Sequence, residues 1–160
     1  VRLVEAATVD GIGSSDRDAR TIASQDVLDA ADSAVEALID EGWEPGHIAL
    51  LATGSRHGEQ INQVELLGYD GYWDSHFREE DVFYGHVLGF KGLERRVVVL
   101  AVNGIRDTER AQRMLYTGMS RARTLLVVVG PRAYLERVGG EGVRKRLREA
   151  EQWTLTPDES

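Results

Sequence analysis

The chain of 160 residues has no cysteine, three prolines and two lysines, and no unbroken apolar run of about 18 residues. Each absence excludes something. Without cysteine there is neither a disulfide framework nor a thiolate metal site. Without a long apolar run no membrane-spanning helix is expected, and Val1-Arg2-Leu3-Val4-Glu5-Ala6 lacks the charged-then-apolar order of a signal peptide, so a cytoplasmic location with no membrane partner is expected. The two lysines stand against 17 arginines, and no Gly-Lys pair occurs. A loop whose amides cradle phosphate needs that lysine beside its glycines, so Asp10-Gly11-Ile12-Gly13-Ser14-Ser15 reads as a turn rather than a phosphate loop. Basic residues are also in deficit: 19 against 27 acidic give a formal net charge of −8. Such a chain does not wrap nucleic acid with its whole surface, and any DNA contact must be local.

What is present organises around residues 82–130. Two continuous apolar runs, Val97-Val98-Val99-Leu100-Ala101-Val102 and Leu125-Leu126-Val127-Val128-Val129, are joined by a helix-length segment. Neither alternates, so both read as neighbouring strands of a parallel sheet buried on both faces. Ile48-Ala49-Leu50-Leu51-Ala52 is a third such strand, Leu3 to Val9 a weaker one, and Asp81 to Tyr84 another. The length suits one core, so a single domain over 1–160 is expected, an α/β fold with a mostly parallel sheet and helices on both faces. Chemistry in such a sheet gathers at the carboxyl ends of its strands. The start without Met, close to a strand, suggests a piece of a longer polypeptide.

Between the strands, Ile22, Val27, Leu28, Ala31, Val35, Leu38 and Ile39 recur at three- and four-residue steps and predict an amphipathic helix from about Asp18 to Glu41. Asp40 and Glu41 follow an apolar run, as in a magnesium-binding strand, but the helical spacing puts them at a solvent-facing helix end. A second helix is predicted over about Gly58 to Leu67, with Thr53 or Ser55 as its cap and Arg56 beside amides that could hold an anion. Tyr69, Tyr72, Trp73, His76 and Phe77 then cluster in a segment read as a long loop packed on the core; stacking on nucleobases is the alternative. After Pro131 come a short helix to Val138, a break at Gly139-Gly140, a charged helix over Val143 to Glu151 and an edge strand at Trp153-Thr154-Leu155.

Two motifs flank the first of the long strands. Lys91-Gly92-Leu93-Glu94 precedes it, and Leu115-Tyr116-Thr117-Gly118-Met119-Ser120-Arg121-Ala122 precedes the next. In order and spacing this pair resembles the fifth and sixth motifs of UvrD/Rep-type superfamily 1 DNA helicases, over roughly residues 82–131. The resemblance implies the second, C-terminal RecA-like lobe of an ATP-driven motor that moves on single-stranded DNA. It implies ATP and Mg²⁺ as cofactors, held mainly by an N-terminal P-loop lobe of the same polypeptide, so the chain alone is expected not to hydrolyse ATP. By position, Arg121 matches the arginine finger, whose forked charge suits a transferring phosphoryl group. Glu94 matches a residue near the ribose and γ-phosphate, Gly92 permits close backbone approach, and Lys91 and His86 fall on the nucleic-acid side. An ion pair between Glu94 and Arg121 that merely joins strand to helix is the structural alternative.

The chain also departs from the family pattern. Where relatives carry Tyr-Arg after the fourth-motif strand it has Ala52-Thr53, and Arg56 is the candidate to compensate as a nucleotide contact. Where relatives carry Thr and His ahead of the fifth motif it has His86 and Leu88. The long insertion between those motifs is missing. A degenerate lobe acting as a protein- or nucleic-acid-binding module is therefore the second reading.

Overall fold

A computed structural model describes residues 1–6, 12, 16–90, 92–104 and 108–155. Lys91, Gly11 and Gly13 lie outside the described residues. Six strands form one parallel sheet: β1 (Arg2–Glu5), β2 (Ile48–Ala52), β3 (Phe83–His86), β4 (Arg95–Ala101), β5 (Ala122–Gly130) and β6 (Glu151–Gln152), in the order β3-β2-β4-β5-β1-β6. Among the described residues four α-helices accompany them, α1 (Arg17–Asp40), α2 (Gly58–Arg78), α3 (Thr108–Met119) and α4 (Arg132–Glu149). Every strand pair is parallel, so the sheet is more uniform than the mostly parallel one expected. The three-layer α/β fold is of the RecA-like kind. Among the described residues no helix is long and apolar enough to cross a membrane.

The continuous apolar runs are explained by their place. β4 is central, with Val98 opposite Ala49 and Leu126, and Leu100 opposite Leu51 and Val128. Residues 97–102 are fully buried because helices cover both faces. The two faces can be told apart at β3. Phe83 and Gly85 face Tyr72, Trp73 and Phe90, while Tyr84 packs against His57 with the rings tilted by 33°, and the His57 ring bonds Asp32 of α1. Leu51 and Leu100 share the Phe83 face, and there α3 comes so close that a Cβ on Gly118 would lie 2.7 Å from Leu100 Cδ1 and 3.3 Å from Val87. Glycine in the second motif is thus a packing requirement: it lets α3 lie directly on β4.

Several predicted boundaries are corrected. The aromatic segment is no loop. It is the second half of α2, which bends at Gly68 (φ 71°, ψ 171°) and continues to Arg78. The glycines and scattered charges hid its helical period, but Tyr72 and His76, four apart, are its buried face. The cluster does pack on the core, with only Tyr69 and Phe77 well exposed. β3 begins two residues later than expected and includes His86. Neither Thr53 nor Ser55 caps α2; His57 does, its Nδ1 accepting from the Glu59 N–H at 2.9 Å. The break at Gly140 is a kink within α4 (φ 76°) rather than a gap. The last edge strand is Glu151–Gln152, with Trp153 N–H donating to Leu3 O just beyond it. Asp40 ends α1 and Glu41 binds Arg2 at 2.8 Å, a helix end as expected.

Candidate functional site

The sequence candidates fall on two opposite edges of the sheet. β4 alone separates those edges by about 20 Å at ~3.3 Å per residue. Gly92, Glu94 and Arg121 lie at the amino ends of β4 and β5; Arg56 and His86 lie at the carboxyl ends of β2 and β3. The expectation that chemistry-bearing residues gather at the carboxyl ends therefore holds for the second group and not for the first. The reason is topological. Residues 87–90 leave the carboxyl end of β3 with Phe90 fully buried, and residues 92–94 lead into the amino end of β4.

At the amino edge the two motifs meet through their backbones. The Arg95 N–H donates to Arg121 O at 3.0 Å. The Arg121 guanidinium turns back over the end of α3, donating from Nε to Thr117 O at 3.1 Å, from Nη2 to Ser120 Oγ at 3.0 Å and from Nη1 to Leu93 O at 3.4 Å. A cation at a helix C-terminus is well placed against the free carbonyls there. Glu94 is exposed and forms no ion pair with Arg121 or with any other described residue. The structural alternative of a strand-to-helix ion pair is thus not what the geometry shows. Gly92 is exposed with φ +84°, a backbone conformation that L side chains rarely adopt, and a Cβ built there would meet nothing within 4 Å. An open glycine, a carboxylate without an ion pair and a forked cation thus lie along one edge of the sheet. Among the described residues no three His, Asp or Glu side chains converge to hold a metal ion.

Beneath this edge lies a residue that sequence reasoning passed over. Arg95 is fully buried. It donates to Ile48 O at 3.3 Å and His76 O at 3.1 Å, and sits 5.6 Å from the Phe83 ring centroid, with no carboxylate among the described residues in ion-pair reach. Burial, then the Arg95 charge, hold the His76 imidazole below its ordinary pKa, with Glu79 opposing. Nothing in the dipeptide Arg95-Arg96 marks the first as internal except strand alternation, which buries one and exposes the other.

At the carboxyl edge, Arg56 and His86 do share a cleft of about 650 Å³, walled by Tyr69, Tyr72 and Trp73. Arg56 is exposed there. His86 is not free: Nε2 lies 3.0 Å from Gly54 O and Nδ1 accepts the Leu88 N–H at 3.2 Å, which fixes a neutral tautomer with both ring nitrogens engaged. Burial keeps its pKa low, the Gly54 and Thr53 carbonyls push it up, and Arg56 and Arg110 add to the lowering. Asn103, also missed, clamps the loop after β2. Its Oδ1 accepts the Gly54 N–H at 2.7 Å, and its Nδ2 donates to Ser24 Oγ and Ser55 O at 2.9 Å each. The available signal was a lone amide directly after a fully apolar strand.

The structure thus brings Gly92, Glu94 and Arg121 together, and Arg56 with His86, and keeps the two groups apart. No curated protein matches the chain. Residues 85–129, which run from within β3 through both motifs almost to the end of β5, match the model of the UvrD-like helicase C-terminal domain, and this match supports a UvrD-type C-terminal helicase lobe.

Proposed function

We propose that the lobe completes an ATP site whose phosphate loop and Mg²⁺ ligands belong to an N-terminal lobe of the same polypeptide, and that the assembled protein uses ATP to move along single-stranded DNA in the cytoplasm. The observation that carries the reading is the amino edge, where an unpaired Glu94, an open Gly92 and the guanidinium of Arg121 stand side by side. ATP bound with Mg²⁺ would supply the phosphoryl group to be transferred. Glu94 would accept from the sugar hydroxyls, and Arg121 would exchange its bonds to Thr117 and Leu93 carbonyls for phosphate oxygens. Such fingers contribute about 10³–10⁵ in rate.

Arg56 stands at the other edge, so on this reading it serves the DNA strand rather than the nucleotide that Arg121 meets. Together with Tyr69 and Trp73 it offers a cation and aromatic faces to a phosphate and a base. His86, with both nitrogens engaged, shapes that cleft by holding Gly54 and Leu88, and Lys91 is assigned to the DNA strand by its charge alone. The test is ATP hydrolysis by the two-lobed protein with and without single-stranded DNA. Arg121→Ala is expected to lower kcat by about 10³-fold or more while circular dichroism stays unchanged. An unchanged rate removes Arg121 from the reaction and leaves the binding-module reading in its place.

A further inference from the structure

A third surface runs between the two edges and shares Leu88, Arg110 and Met114 with the Arg56 cleft. Between α3 and α4, on the outside of the helical layer, runs a groove of about 820 Å³. Val87, Met114, Met119 and Val143 form its floor, and the rim exposes Leu88 by 54 % and Tyr116 by 76 %. Among the described residues its charged lining is of one sign, Arg110, Arg113 and Arg146, with no carboxylate. This is unusual for a chain of net charge −8. It is also unlike the rest of α4, where Arg144 pairs with Glu141 at 2.7 Å and Arg132 with Glu136 at 3.2 Å. Neither Arg113 nor Arg146 has a carboxylate partner among the described residues; Arg146 reaches only Met119 O, at 3.4 Å.

We infer that this groove binds an acidic amphipathic helix of a partner protein. The apolar floor, with two adaptable methionines, matches one face of such a helix, and the arginines match carboxylates on its flanks. α3 is about 18 Å long at 1.5 Å per residue, enough to seat about three turns with apolar anchors at i, i+3 or i+4, and i+7. A phosphate backbone would match the arginines but leave the floor unused, so peptide is the better fit. The inference stands whether or not the parent is a motor.

The test uses the 160-residue chain and a fluorescent designed peptide of about three turns, with leucines at the anchor positions and glutamates between them, against the same peptide with lysines for glutamates. The acidic peptide is expected to bind saturably, and Arg113→Glu with Arg146→Glu is expected to weaken it on the order of tenfold or more while improving the lysine version. Gly142→Leu supplies a second variant that keeps both charges. A Cβ at Gly142 meets nothing within 4 Å, so the fold should tolerate the side chain while the groove loses its room and the peptide its affinity. No saturable binding, equal binding of the two peptides, or indifference to all three substitutions overturns the proposal. So does a single-stranded oligonucleotide that binds instead of the peptide and depends on the same two arginines, which would make the groove a phosphate site.

Discussion

The two edges of the sheet are held together in different ways. At the carboxyl edge the polar side chains bond from one element to another: Asn103 ties the end of β4 to the loop after β2, His86 ties β3 to that same loop, and His57 ties α2 to Asp32 of α1. At the amino edge, among the described residues, Glu94 has no partner and Arg121 bonds only the end of its own helix and the adjoining turn. The carboxyl edge is organised from within the lobe. The amino edge has bridges of its own, Arg2 to Glu41 and Arg95 to the Ile48 and His76 carbonyls, but it leaves Glu94 to solvent and Arg121 to local carbonyls, and these are the groups that the proposed second lobe would meet.

The largest effect that separates the edges is expected in catalysis. In the two-lobed protein Arg121→Lys keeps the charge and loses the fork, so it should recover little of the ~10³-fold loss of the alanine variant. Arg56→Ala should act on DNA instead, weakening single-strand affinity and lowering the salt slope of binding by about one. Steady-state hydrolysis and anisotropy titrations at two salt concentrations read the pair. A collapse of kcat at saturating DNA in Arg56→Ala would put both arginines on one site and break the distinction.

Next in size is the buried support of the amino edge. Arg95→Ala leaves a cavity and two carbonyls unbonded, and should cost the 160-residue chain about 3 kcal/mol in urea unfolding. Arg95→Met fills most of the volume without burying a charge and should stay within about 1 kcal/mol of the parent chain. Equal losses in both would show that the hydrogen bonds to Ile48 and His76, rather than the buried charge and volume, dominate.

Gly118→Ala follows. Its added methyl would sit 2.7 Å from Leu100 Cδ1 beneath α3, and overpacking of this kind costs about 1–3 kcal/mol, more than alanine returns in helix propensity. A midpoint in urea equal to that of the parent chain would mean that α3 lifts from β4 at no cost.

Much of this architecture was legible in the residues, for reasons that differ along the chain. β2, β4 and β5 announced themselves because strands covered on both faces have no reason to alternate, and α1 because its apolar stripe repeats at the helical step. The two motifs marked Gly92, Glu94 and Arg121, each motif lying just ahead of its strand. What could not be read was which end of the sheet those residues occupy. That depends on the strand order, and the placing of β2 between β3 and β4 is a long-range fact with no local signature. The continuation of α2 past Gly68 was hidden for a related reason. Its buried face consists of Tyr72 and His76, polar-tipped residues that pattern matching counts as surface, and they are buried because Phe83 and Phe90 meet them from elsewhere in the chain.

The smallest effect is a titration, and it distinguishes the edges once more. Each edge has a histidine kept neutral, His76 by burial and Arg95, His86 by burial with Arg56 and Arg110 contributing. Both pKa values lie below the ordinary ~6.5. The unfolded chain therefore takes up protons first as pH falls. The stability due to these groups is fully present above ~6.5 and is lost as pH drops from there through the lower folded values. Ring-proton NMR should show both midpoints low in the parent chain. Arg95→Met should raise the His76 midpoint and leave that of His86 in place; Arg56→Ala should do the reverse, and by less, because for His86 burial and the Gly54 and Thr53 carbonyls outrank the arginine. If either substitution moves both histidines, the two edges are electrostatically one region, and the separation that assigns Arg121 and Arg56 to different ligands loses its physical basis.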